Sequence, residues 1–340
     1  MKHHVFSEKS HGIRFVAIGG GNGLSTLLSG LKNFVKPEDD AGGSISELAA
    51  IVAVTDDGGS SGRLRDELQM LPPGDIRNCM VALSEDSQTL SKLFRHRFRG
   101  DGDLGGHVFG NIFLAALSEV TGDFAEAVKL SSEILASKGH IYPATGADVR
   151  LAAELMDGKI VRGETKVGHV GGMIKRVFLE PSDCEPLPEA VAAIRSADVI
   201  SVGPGSLYTS LLPPMLVSGL AGAIADSRAR KIFISNLMTQ PGETDGLSLA
   251  GHIDVLAACA PGVKFDCIVV NSQAITETQV QKYAGEGSEQ VGLREVSEAS
   301  EIASARLVYD NLLSEGEKVR HDPYRLAKAA LSCAVEPFTL

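Results

Sequence analysis

Five short apolar runs in this chain end in the same way, and that repetition constrains the fold more than any other feature. Residues 14–18 run into Gly19-Gly20-Gly21-Asn22-Gly23, and residues 48–54 into Thr55-Asp56-Asp57-Gly58-Gly59-Ser60-Ser61-Gly62. Residues 198–202 run into Gly203-Pro204-Gly205-Ser206. Residues 231–235 lead to Asn236, with Thr239 and Gln240 behind it, and residues 266–270 to Asn271-Ser272. Near-continuous apolar runs of this length read as strands buried on both faces. Stretches of helical period occupy 24–34, 108–119, 124–136, 188–195, 247–259 and 323–333. The pattern predicts an α/β chain: a Rossmann-like, mostly parallel sheet with helices on both faces. In a parallel sheet all carboxyl ends of the strands share one edge, where open α/β sheets bind their ligands. Five such loops on one edge predict a cleft.

Two stretches interrupt the alternation. Residues 149–165 place Asp157-Gly158 between two partly alternating runs, which reads as a hairpin. Residues 180–190 carry three prolines and are expected to take the chain across between two halves. Residues 1–13 lack the apolar core of a signal peptide and are expected as an N-terminal tail. That leaves 14–335 as a single α/β domain. With 44% hydrophobic and 22% charged residues, the chain has the material for a globular core.

The formal net charge of −11 argues against a nucleic-acid binder, which normally carries a basic face. It leaves anionic small ligands open, because a phosphate site needs only backbone N–H groups and a few arginines. One run goes against the balance: Lys92-Leu93-Phe94-Arg95-His96-Arg97-Phe98-Arg99. It is expected as a helix with a solvated basic side, a phosphate or protein contact being the alternative. The five cysteines are scattered and never spaced Cys-x-x-Cys, which fits thiols in a reducing cytoplasm rather than disulfides or zinc. No apolar run approaches the ~20 residues of a membrane span.

The loops carry the chemistry. Gly20, Gly21, Asn22 and Gly23 allow a diphosphate close to the backbone, and the helix behind them offers unpaired N–H groups. The spacing fits neither a clean dinucleotide fingerprint nor a Walker A loop. Asp56 and Asp57, adjacent at a strand end, could hold Mg²⁺ through oxygen ligands, while Ser60, Ser61, Arg63 and Arg65 are donors suited to phosphoryl oxygens. Asp75, Arg77 and Asn78 bring another carboxylate and another arginine, although Asp75 could equally cap a helix. His107, at the start of an apolar helix, is either a structural donor or a general acid. Gly203, Gly205 and Ser206 repeat the first loop's design, and Tyr208 can point into the cleft. Asn236, Thr239 and Gln240 suit a base or sugar hydroxyls. Asp57, Asp75 and His107 are the catalytic candidates, and Asp56, Asp57 and Asp75 the metal candidates.

The blocks AIGGGNGLSTLLSGLK, AVTDDGGSSGRLR, PPGDIRNCMVALS, GHVFGN, GPGSLYTSLLP, NLMTQPGETDG and RHDPYRLA span residues 17–327 in order. Together they resemble the YvcK-type gluconeogenesis factor family, a relative of the 2-phospho-L-lactate transferase CofD. The resemblance implies a CofD-like fold, a cytoplasmic homodimer, and one of two activities. In the transferase branch a guanosine diphospho-ester binds with Mg²⁺ and passes a phospholactyl-type group to a deazaflavin alcohol. The acidic pair there matches Asp56-Asp57, and a further metal carboxylate matches Asp75. The other branch binds UDP-sugars, notably UDP-N-acetylglucosamine, and supports cell shape and wall synthesis on gluconeogenic carbon, with cell-wall enzymes as implied partners. This chain sides with that branch through GGSSGRLR, PPGDIRN and MTQPGETDG. It departs at Leu247, where many relatives carry an aromatic, and at Asn22, where Thr is common.

Two functions follow as expectations. The first is a regulatory factor that binds a sugar nucleotide; the second is a Mg²⁺-dependent transferase in which metal and arginine neutralise a leaving diphosphate. A nicotinamide oxidoreductase is a third reading, weakened by the absence of a clean Gly-x-Gly-x-x-Gly.

Overall fold

The computed structural model describes residues 12–36, 44–85, 88–292 and 304–335. In chain order its strands are β1 (Ile13–Gly19), β2 (Ile45–Val52), β3 (His140–Pro143), β4 (Arg150–Leu155), β5 (Ile160–Arg162), β6 (Ile174–Glu180), β7 (Val199–Val202), β8 (Arg230–Ile234), β9 (Cys267–Asn271) and β10 (Arg306–Asp310). Seven of them make one sheet, ordered β10-β9-β8-β7-β1-β2-β3, and every pairing in it is parallel. The expected Rossmann-like α/β architecture forms.

The strands read as continuous apolar runs because both faces are covered. Along β1, Phe15 and Ala17 join one core while Val16 and Ile18 join the other. The same alternation continues in β2 (Leu48, Ala50, Val52 against Ala49, Ile51) and β9 (Cys267, Val269 against Ile268, Val270). The first core is closed by helices Gly21–Leu31, Gly74–Leu83, Phe109–Thr121 and Pro323–Val335, the second by Pro188–Ser196 and Leu249–Cys259. Burying one side chain such as Ile18 is worth about 1.5–3 kcal/mol. Helices Gly21–Leu31 and Pro323–Val335 approach so closely that a Cβ on Gly30 would strike the Pro323 carbonyl.

The chain leaves β1 in one direction, through β2 to β3, and then builds a separate antiparallel sheet ordered β5-β4-β6. The expected hairpin is β4–β5, turned at Asp157-Gly158 with the Gly158 N–H on the Leu155 carbonyl. In its third strand, β6, Ile174 is followed by Lys175 and Arg176, which both pair with Glu154. The proline-rich stretch then leads back through helix Pro188–Ser196 to β7, which lies on the other side of β1. The order reverses between β1 and β7, so the crevice at their carboxyl ends is the topological switch point.

Of the boundaries that differ from expectation, three bear on the site and its surroundings. Strand β1 begins at Ile13, one residue inside the expected tail. The first helix begins at Gly21 rather than residue 24, so the glycine run is its first turn. The basic run is helical only to Phe94, which is buried; beyond it Arg97 bridges Val108 in extended backbone.

Candidate functional site

At the switch point two glycine turns meet. A side chain on Gly23 would drive its Cβ into the Pro204 carbonyl and to 3.0 Å from the Gly205 Cα; one on Gly205 would stand 3.3 Å from the Ser210 Cβ. Only glycine permits this approach, and both turns open helices. Gly20 stands at the N-cap of Gly21–Leu31 and has no side chain to cap it, while the Gly21 N–H is taken by the Asp75 carboxylate. Ser25 and Thr26 donate their hydroxyls back to the Asn22 carbonyl and belong to the helix.

The wall that follows β7 and β8 is made of amides and hydroxyls. Asn236 clamps the second turn with both ends of its amide: Oδ1 accepts the Gly205 N–H at 3.0 Å, and Nδ2 donates to the Gly205 carbonyl at 2.8 Å. Gln240 Nε2 donates to Ser206 Oγ at 2.7 Å, leaving its Oε1 buried without a partner. Glu243 accepts the N–H groups of Tyr208 and Thr209. Burial raises its carboxyl above the usual range, against those two donors. The Tyr208 ring is buried in the second core, so only its backbone serves this wall, against the expectation that it points into the cleft. Thr239 is buried and spends its hydroxyl on the Glu289 N–H.

The wall that follows β2 is charged. A Cβ on Gly20 would lie 2.7 Å from Asp75 Oδ2, and one on Gly74 2.7 Å from Asp56 Oδ2, so both carboxylates stand at the floor beside the first turn. Burial pushes the Asp75 carboxyl up to about 7, with Asp56 adding its negative charge and the Gly21 N–H and Arg77 opposing. Asp56 Oδ1 accepts the Gly58 N–H at 2.9 Å. Asp57 turns instead toward the small sheet, where its Oδ1 accepts both the N–H (2.9 Å) and the hydroxyl (2.6 Å) of Thr165. The sequence reading missed Glu164, which arrives from the same segment and accepts the Thr55 hydroxyl at 2.7 Å. Its carboxyl is raised well above the usual range, first by burial and then by Asp75. No group of three or more His, Cys, Asp or Glu among the described residues is arranged to hold a metal ion by itself.

Several expected ligand donors are committed to the protein. Ser60 is buried and accepts from the Val108 N–H and the Asn111 amide, while His107 Nδ1 lies 3.2 Å from its hydroxyl. Burial, followed by the charge of Arg63, lowers the His107 pKa. Ser61 is buried beneath the same Asn111 amide. Arg65, expected among the phosphate donors, is fully buried and pairs with Asp148, with further bonds to the carbonyls of Thr55 and Val149. It ties the end of β2 to the small sheet. Asn78 accepts from Arg77, and Arg63 donates to the Gly105 carbonyl. All five cysteines are free thiols, and no single helix among the described residues is long and apolar enough to cross a membrane.

Residues 15–313 match the family described as 2-phospho-L-lactate transferase CofD. The chain is 44% identical over 317 residues to a gluconeogenesis factor of Halalkalibacterium halodurans, covering 93% of this chain and 95% of that one. It is 42% identical over 315 residues to the gluconeogenesis factor of Bacillus subtilis, covering 92% and 96%. A crystal structure of a Bacillus halodurans protein superposes with a TM-score of 0.87 at 43% identity, over 94% of this chain and 99% of that one.

Proposed function

Because the chain belongs to the YvcK-type gluconeogenesis factor family and carries its CofD-like domain, we propose that it is a regulatory factor that binds a UDP-sugar, UDP-N-acetylglucosamine, in the switch-point cleft. The observation that carries this reading is the meeting of two glycine turns at one crevice, the first of them opening a helix whose N-cap has no side chain. A diphosphate has two anionic centres: the first helix start would offer N–H groups to one, and the Ser206 hydroxyl, whose oxygen accepts from Gln240, would donate to the other. Asn22 and Gly23 would take one phosphate, Ser206 the other. The partnerless Gln240 Oε1 is placed to accept an N–H or O–H of the base or sugar. In this reading the factor is a cytoplasmic homodimer, and occupancy of the cleft informs cell-wall enzymes of precursor supply during gluconeogenic growth.

A second reading, a Mg²⁺-dependent transferase of a phospholactyl-type group, is favoured by one feature. Asp56 and Asp75 at the floor would repel a bare diphosphate. Their hard oxygens fit Mg²⁺, which takes one or two carboxylates and completes its shell with water and phosphate. The ion would neutralise the diphosphate as it leaves. Calorimetric titration with UDP-N-acetylglucosamine and with GDP, each with Mg²⁺ and with chelator, tests both. Saturable UDP-sugar binding supports the first reading, and binding of GDP alone overturns it in favour of the second.

A further inference from the structure

The basic run that breaks the acidic balance of the sequence lies next to the cleft in space. Arg97 Nη1 donates to the Gly106 carbonyl at 2.6 Å, and Arg63 Nη2 donates to the neighbouring Gly105 carbonyl at 2.7 Å. The two guanidinium groups, 34 residues apart in sequence, therefore converge on two consecutive carbonyls. Arg77 reaches the same region from below. Its stem packs against Gly110, where a Cβ would sit 2.8 Å from Arg77 Cδ. Its Nη1 holds Asn111 at 2.9 Å, while its Nε is buried without a partner. Burial lowers the Arg77 pKa most, the Asp75 carboxylate opposes it, and the charges of Arg97 and Arg95 add to the lowering. Among the described residues none of Arg63, Arg77, Arg95 and Arg97 forms an ion pair, although the chain holds 43 acidic residues. Asp75 and Asp56 offset part of the charge at Arg77, but the exposed Arg95 and Arg97 have no ion-pair partner among the described residues, and an oxyanion entering beside them stabilises the arrangement.

We propose that Arg63, Arg77, Arg95 and Arg97 form a second anion subsite beside the switch-point cleft, which takes the phosphate group of a small phosphorylated molecule. Its donors are guanidinium groups rather than the N–H groups of the glycine turns, and it does not depend on which nucleotide fills the cleft. Small size follows from the layout. Arg77 is half-buried beneath the exposed Arg95 and Arg97, so only a compact group reaches all of them. A polyanion would also meet the carboxylates of Asp56 and Asp75 next door.

The test is calorimetric titration of inorganic phosphate at low ionic strength into three proteins: the wild type, Arg95→Ala/Arg97→Ala and Arg99→Ala. The first pair of substitutions is on exposed side chains, and circular dichroism confirms that each variant is folded. The expected result is saturable binding to the wild type, weakened about tenfold or more in Arg95→Ala/Arg97→Ala. Arg99→Ala, which removes one charge from the same run, stays within about twofold of wild type. Absence of saturable binding overturns the proposal. So does equal weakening by Arg99→Ala, which would mean diffuse charge, or unchanged binding in Arg95→Ala/Arg97→Ala, which would put the phosphate on the glycine turns or elsewhere.

Discussion

The two walls of the cleft are built from opposite chemistry. Behind β7 and β8, neutral amides and hydroxyls hold one another: Asn236 grips Gly205, Gln240 grips Ser206, and the Glu243 carboxylate is occupied by backbone donors. Behind β2, Asp56, Asp75 and Glu164 act on one another by charge, and neither they nor Arg63 and Arg77 form an ion pair among the described residues. A network whose members are satisfied is rigid and fixes shape; one with unbalanced charge is arranged for a partner that brings the balance. In the proposed function, the neutral wall accordingly sets binding geometry, and the charged wall the response to metal and anions.

The largest effect is expected where the walls meet. Gly23→Ala pushes the two turns apart, and overpacking of this kind costs about 1–3 kcal/mol, so UDP-N-acetylglucosamine affinity should fall up to about a hundredfold. Calorimetry measures the loss, and an unchanged far-ultraviolet spectrum separates it from unfolding. Retained affinity would mean that the turns are not the cradle.

On the neutral wall, Asn236→Ala leaves the Gly205 N–H and carbonyl without partners. A buried polar group left unpaired costs about 1–3 kcal/mol, so binding should weaken at least about tenfold, equally with Mg²⁺ and with chelator. A loss seen only with Mg²⁺ would break the division between the walls.

The same wall carries a pH signature. His321 is held down to about 4 by burial, against a contact with the Ser235 backbone. Unfolded, it titrates near 6.5. A lowered histidine pKa gives stability that is fully present above about 6.5 and lost as pH falls toward 4, at most about 3 kcal/mol. His321→Gln should flatten the urea-unfolding stability over that window, and an unchanged slope would refute the assignment.

The smallest effect belongs to the charged wall. Asp56→Asn removes one repelling charge, so UDP-sugar affinity in chelator should rise about threefold or less, while any gain on adding Mg²⁺ disappears. A Mg²⁺ response that survives in the variant would move the ion away from this floor.

The backbone of this account was legible in the sequence wherever a local rule applied. Strands β1, β2, β7, β8 and β9 showed as apolar runs because both faces are buried, and β4–β5 showed through its Asp-Gly turn. β3 was missed because it is four residues ending in proline, and β6 because Lys175 and Arg176, which pair with Glu154, break its apolar run. The loops were legible as a group, but the use of each side chain was not. Arg65 reads like a phosphate donor until Asp148, 83 positions away, is placed against it. Ser60 looks free until Asn111 and His107 close on it. Glu164 joins the site across 109 positions from Thr55. Spacing within a motif carries no information about partners brought by another element.

The most direct test of the central claim is a ³¹P NMR spectrum of UDP-N-acetylglucosamine with the protein, with and without Mg²⁺, followed over hours. The account predicts shifted or broadened diphosphate signals in the wild type, lost in Gly23→Ala, and no new phosphorus peaks. An unchanged spectrum would contradict the claim that two glycine turns at the switch point hold a UDP-sugar, and new peaks that vanish in Asp56→Asn would make the protein a transferase instead of a sensor.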